Sequence, residues 1–119
     1  MKLRVTFFNR FFQEWPHRAH LEQGGIQPSF GSAGYETAEA VVFHLPTLPA
    51  KLLLDLPKAP GQIWVGWCLE SRITCAAFGD PQVRERCDLM MSHERSADVF
   101  TPYFSLPSLE GFRRPPRAE

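Results

Sequence analysis

Cysteine is scarce in this chain and poorly spaced for chemistry. Cys68, Cys75 and Cys87 are the only three among 119 residues, and none forms a CxxC pair. An odd number without paired spacing argues against the disulfide frameworks of small secreted domains, and reduced thiols fit better. Zinc would need a fourth ligand. His93 is the nearest candidate, but Cys68 lies in an apolar run that reads as core, so no metal is expected. Excess charge is also missing: 13 basic residues face 13 acidic ones. That balance removes the electrostatic footprint of a general nucleic-acid binder. No apolar stretch approaches the ~18 residues of a membrane span, and the opening MKLRVTFFNR has no signal-peptide core. The expected location is cytoplasmic, with a peripheral membrane contact left open. Glycine-rich phosphate cradles are absent as well, since GSAG at 31–34 completes no dinucleotide fingerprint and no GxxxxGK[ST] occurs. Cys68 and Ser71 have no neighbouring histidine with triad logic, which argues against a hydrolase.

Apolar and aromatic side chains are plentiful, at 44% and 13% of the chain. One domain of this length buries roughly two thirds of its unfolded surface. Residues 2–8 (KLRVTFF) read as a central strand laid down first, rich in β-branched and aromatic residues. Residues 9–22 carry Phe11, Phe12 and Trp15 at helix-like intervals but are interrupted by Pro16, so a short helix and an irregular loop remain open. Residues 24–34 (GGIQPSFGSAG) are turn-rich and read as a long surface loop. Residues 39–44 (EAVVFH) and 63–69 (IWVGWCL) are nearly continuous apolar runs, the pattern of parallel strands covered on both faces. The prolines at 46, 49, 57 and 60 leave room for only a short helix between those strands.

Asp80 followed by Pro81 is a helix start, with the carboxylate as N-cap and proline in the first turn. A short helix over 80–86 then leads to a strand at 88–92 (DLMMS), and residues 99–104 are extended around Pro102. Strands separated by helical or proline-rich crossovers predict a small three-layer α/β domain with a Rossmann-like parallel sheet over residues 1–104. Residues 105–119, with Arg113, Arg114 and Arg117, read as a flexible solvated tail.

Ligands of parallel α/β sheets gather outside the carboxyl ends of the strands. Three segments meet that description: His44 after VVF, Glu70 after IWVGWCL, and SHERSAD at 92–98. A carboxylate at such an edge can act as a general base once desolvation raises its pKa. It can equally be a solvated strand end. His44 reads as a packing histidine or a ligand contact, and His93, Glu94 and Arg95 as a surface ion-pair turn or a substrate contact. Trp64 and Trp67 are three apart, so in a strand they face opposite sides and at least one is core. A tryptophan at the strand's end can stack on a sugar ring.

Three ordered segments add to this reading. AEAVVFHLP (38–46), PGQIWVGWCLES (60–71) and CDLMMSHERSADVFTPYF (87–104) resemble the N-terminal, acceptor-side region of the α-1,3-fucosyltransferases of glycosyltransferase family 10. The family's counterparts run roughly ADAVVFHH, then Gln-Arg-Trp-Val with Glu-Ser-Pro, then Ser-Tyr-Arg-Arg-Asp-Ser-Asp with Val-Pro-Tyr. The resemblance implies one half of a GT-B architecture, whose other half binds the donor, GDP-fucose. This half then binds no cofactor and meets an oligosaccharide acceptor of N-acetylglucosamine type. The reaction implied is inverting: a carboxylate takes the acceptor hydroxyl's proton as that oxygen attacks C1 of fucose. By position in Glu-Ser-Pro, Glu70 is that base.

The resemblance places Ser71 beside Glu70 and puts Ser92, His93, Arg95 and Asp98 in the cleft-side loop. His44 and Trp67 join them as substrate-binding candidates from their strand ends. Two departures stand out: Arg72 replaces the family's proline, and Glu94 replaces an arginine. Only 15 residues follow Phe104, so these residues are expected to transfer nothing without a donor-binding chain, and self-association is expected. A non-catalytic carbohydrate-binding or protein-interaction domain derived from that half is the alternative.

Overall fold

A computed structural model describes residues 2–69, 75–92 and 99–100. Glu70, Ser71, His93, Arg95, Asp98 and the segment 105–119 lie outside the described residues. The chain forms one six-stranded, wholly parallel sheet in the order β2-β1-β3-β4-β5-β6. Its strands are β1 (Leu3–Phe7), β2 (Ile26–Phe30), β3 (Ala40–His44), β4 (Ile63–Cys68), β5 (Leu89–Ser92) and β6 (Val99–Phe100). Among the described residues four short helices lie between the strands: α1 (Arg18–Gln23), α2 (Ala50–Asp55), α3 (Ala76–Gly79) and α4 (Pro81–Arg86). No helix among the described residues is long and apolar enough to cross a membrane.

The central strands are apolar on both faces because both faces are covered. Val41, Phe43, Trp64, Cys68 and Met90 point to the side packed by Leu53 of α2, Phe78 of α3 and Val83 of α4. Val5, Phe7, Ala40, Val42 and Val65 point the other way, toward Phe11, Trp15 and Leu21 of α1. The expected separation of the two tryptophans follows: Trp64 is wholly buried in the first core, and Trp67 packs against the second.

Residues 24–34 are not the uninterrupted surface loop that their glycines suggest. Five of them form β2, with Val5 opposite Pro28. Proline survives there because β2 is an edge strand and needs ladder bonds on one side only. The helix start at Asp80 is as expected, its carboxylate accepting from the Gln82 N–H at 2.8 Å. The strand expected at 88–92 begins at Leu89, as β5, because the Asp88 side chain is diverted to the start of β4. Its Oδ2 accepts from the Trp64 N–H at 2.8 Å and from Lys58 Nζ at 2.7 Å. Burial alone would raise the Asp88 pKa, but the Lys58 ammonium and the amide bonds outweigh it and hold the carboxyl below its ordinary range.

Gly66 sits mid-strand in β4, where a side chain would have no room. A Cβ there would lie 3.0 Å from Cys87 Sγ, 3.0 Å from Met90 Sδ and 3.2 Å from Leu45 Cδ1. Better strand propensity does not offset such crowding. Gly66→Ala is expected to cost about 1–3 kcal/mol by overpacking, read as a lower urea midpoint. An unchanged midpoint would mean that the three neighbours yield freely.

Candidate functional site at the carboxyl edge of the sheet

The connections leaving β1 and β3 run in opposite directions. β1 leads to β2 through α1 on one face, and β3 leads to β4 through α2 on the other. That divergence makes the gap between the carboxyl ends of β1 and β3 the sheet's topological switch point, where parallel α/β folds place their ligands. Two residues after β1, Asn9 reaches across this gap to His44, the last residue of β3. Asn9 Oδ1 accepts from the His44 N–H at 2.9 Å, and Asn9 Nδ2 donates to the His44 carbonyl at 2.8 Å. The side-chain amide thus imitates one more rung of ladder between strands that have begun to part.

The same amide reaches Thr47, in the one-turn helix Leu45–Thr47 that follows β3. Asn9 Nδ2 donates to Thr47 Oγ1 at 2.9 Å, and His44 Nδ1 lies 2.9 Å from that oxygen. The Thr47 hydroxyl has one proton, and the Arg10 carbonyl, which only accepts, stands 3.0 Å away. The three shorter contacts are all satisfied when Thr47 donates to Arg10 and Nδ1 carries the imidazole proton, which leaves only the longer approach of Thr47 Oγ1 to the His44 carbonyl, 3.4 Å, without a proton. Nε2 is then a lone-pair acceptor, and it has no hydrogen-bond partner among the described residues.

Burial holds His44 neutral, lowering its pKa below the ordinary histidine value. The sign of the consequence is fixed. Below about pH 6.5 the unfolded chain takes up a proton that the folded imidazole resists. The stability that His44 contributes is complete above that pH and is lost as pH falls toward the lower, native pKa. Unfolding free energies measured between pH 8 and pH 5 are therefore expected to decline in acid. His44→Gln should flatten that part of the slope, and an unchanged slope would assign it to other groups.

Aromatic rings wall this histidine. Phe11 and Phe12 stand with ring centroids 4.9 Å from it, and Trp67 stands at 6.4 Å. His44 and Trp67 are register partners on neighbouring strands. Phe11 also meets Trp67 edge-on at 4.1 Å and anchors a tight turn whose backbone bonds join it to Glu14. Trp67 Nε1 is buried and has no hydrogen-bond partner among the described residues.

Of the sequence-derived candidates, His44 and Trp67 are brought together. Ser92 is not: it is wholly buried at the end of β5 and by alternation shares the face of Met90, opposite Trp67. Glu70 follows β4 by two residues in sequence and is among the residues not described. Asn9, Thr47, Phe11 and Phe12 were not singled out from the sequence as site residues. An asparagine at the end of the first apolar strand, before a Phe-Phe pair, was the available signal. A concavity of about 560 Å³ lined by Lys58, Gln62, Ile63 and Leu89 lies at the strands' amino ends, away from this edge.

The whole is a small α/β half-domain with a Rossmann-like parallel sheet, and aromatic and hydrogen-bonding side chains gather beside its switch point. The chain belongs to the fucosyltransferase N-terminal family, whose model matches residues 29–104. It is 31% identical over 98 residues to a Bos taurus 3-galactosyl-N-acetylglucosaminide 4-alpha-L-fucosyltransferase. The match takes in 80% of this chain and 25% of that protein, so the chain spans about a quarter of its relative's length.

Proposed function

We propose that these residues are the acceptor-side domain of an inverting, fucosyltransferase-like glycosyltransferase, with GDP-fucose as donor and an N-acetylglucosamine-type glycan as acceptor. The observation that carries the reading is the position of the LES segment. In a chain that belongs to the family across residues 29–104, that segment follows in sequence directly on β4, which ends at the carboxyl edge with Cys68. That is the edge at which an acceptor must lie if Glu70 is to take its proton.

In the proposed step the acceptor oxygen attacks C1 of fucose, its proton passes to the Glu70 carboxylate, and the C1–O bond to GDP breaks with inversion. The acceptor edge orients the hydroxyl, and the donor-binding half stabilises the departing diphosphate. That half lies outside residues 1–119, in further sequence or in a companion chain. Residues 1–119 alone are then expected to bind glycan without transferring fucose.

The test supplies a donor-binding domain of the same family in trans, with GDP-fucose and N-acetyllactosamine. Mass spectrometry looks for addition of one fucose, and the coupling of the product's anomeric proton in a ¹H spectrum reads whether the configuration is inverted. Glycan binding with no transfer by any such pairing would instead favour a non-catalytic carbohydrate-binding domain.

A further inference from the structure

Two polar atoms beside the switch point have no hydrogen-bond partner among the described residues, and they stand on the adjacent strands β3 and β4. One is a donor, Trp67 Nε1, buried and unpaired among the described residues. The other is an acceptor, the Nε2 of His44, whose proton is committed to Nδ1 through Thr47. Folded proteins seldom leave a buried indole N–H unpaired, because the lost hydration goes uncompensated. A third irregularity lies beside them. Phe12 holds a left-handed backbone, φ 60°, and is 60% exposed. A large side chain is strained in that region, and exposure returns little burial for the strain. Neither an unpaired buried N–H nor a left-handed phenylalanine is what fold stability alone would select. All three fall around one imidazole.

We propose that His44, Trp67 and Phe12 form a clamp for a polyhydroxylated saturated ring. One ring hydroxyl donates to His44 Nε2, the same or the adjacent hydroxyl accepts from the Trp67 indole, and the ring's C–H face packs on Phe12. Asn9 and Thr47 are positioning residues that fix the imidazole's tautomer and orientation without touching the ligand. A neutral acceptor, a neutral donor and an aromatic face suit a sugar. A phosphate would call for cationic partners. Arg10 and Arg18 do not supply them here, since their guanidinium groups stack on Trp15 at 5.6 Å and on Phe30 at 5.0 Å. The ligand class rests on the acceptor-side reading, but the clamp's existence does not require transfer. Trp67 Nε1 is buried and the Phe11 ring packs edge-on against that indole at 4.1 Å, so binding should register at the indole and at the turn together.

The experiment is a titration of the 119-residue chain with the methyl β-glycoside of N-acetylglucosamine, followed by ¹H–¹⁵N spectra of the three tryptophan indoles. Trp64 is the internal control, because its indole already donates to Gln62 Oε1 at 2.8 Å. The expected result is a saturable shift of the Trp67 indole and the Phe12 amide at millimolar sugar, with Trp64 unmoved. Phe12→Asn accepts the left-handed backbone, so it should fold at least as stably while binding about fivefold to tenfold more weakly. Trp67→Phe should keep the ring and lose the affinity. The inference is overturned if the Trp67 indole stays still up to about 50 mM sugar, a concentration well above millimolar affinity. It is equally overturned if Phe12→Asn binds as the parent does. Fucose transfer with a silent Trp67 indole would sink the clamp and keep the proposed function; a Trp67 shift without transfer would do the reverse.

Discussion

Replacing Glu70 by glutamine is expected to lower kcat by about 10²–10⁴ in an assay that supplies the donor-binding half, the range general-base removal commonly shows. Glutamine keeps the size and two polar atoms of glutamate but cannot take the acceptor's proton. Acceptor affinity should change little if Glu70 acts mainly in the transition state, so the loss should appear in kcat with KM nearly unchanged. A matching rise in KM would assign Glu70 to acceptor binding instead. Glu70→Asp is the finer probe, since it keeps the carboxylate and withdraws it by one methylene. It should retain more activity than Glu70→Gln if proton transfer is at stake, and no more if the side chain only packs. Arg72 adds a chain-specific expectation. Arg72→Pro puts in the residue that the resemblance implies at that position, and it would fix φ two residues from Glu70. Its effect on kcat should depend on Glu70 being present.

The strands that carry the edge were legible in the sequence, and the contacts between their ends were not. AVVFH and IWVGWC declared themselves because a strand buried on both faces must be apolar throughout, and that is a local property. β2 was hidden because Gly24, Gly25, Pro28 and Gly31 are turn residues by local rule. Only its place at the sheet edge, set by pairing with β1, makes proline tolerable there. The site divided along the same line. His44 and Trp67 could be picked out because each stands at or near the end of a recognisable strand. Their relation could not, because it depends on β3 and β4 pairing in register. Asn9 is the clearest case: its bonds to His44 span 35 residues, and nothing in NRFFQEW specifies a partner so far along the chain. Phe12 read as a candidate helix residue, whereas its left-handed backbone and exposure belong to a tight turn. Long-range pairing supplied what local pattern lacked.

That dependence on distant pairing makes Gln62 the residue whose change should damage the edge most from afar. Gln62 is buried just before β4, and its amide is fully used. Nε2 donates to the Tyr35 carbonyl at 2.7 Å and to the Ala38 carbonyl at 2.9 Å, while Oε1 accepts from Trp64 Nε1 at 2.8 Å. Those bonds fasten the start of β4 to the turn that feeds β3, the two strands bearing Trp67 and His44. Gln62→Glu is nearly isosteric, yet it sets a carboxylate oxygen against two carbonyl oxygens where two N–H bonds had been. An ionised group there is buried and unmatched, so a loss of about 3–5 kcal/mol at pH 7 is expected. Losses of that size are a large part of the stability of a single domain.

The pH dependence of Gln62→Glu separates this account from simple misfit. Repulsion and burial raise the native pKa of the new carboxyl above its unfolded value of about 4.3. Stability is then best below that value, where the protonated acid can donate to one carbonyl, and is lost as pH rises through the native pKa. Urea midpoints of Gln62→Glu should therefore recover toward the parent near pH 4–5, against a parent baseline measured at each pH. Gln62→Met, which loses the amide but brings no charge, should be destabilised almost equally at both pH values. If Gln62→Glu and Gln62→Met lose the same stability throughout, the amide only fills space. The pairing of β3 with β4, and with it the approach of His44 to Trp67, must then be held by the strands alone.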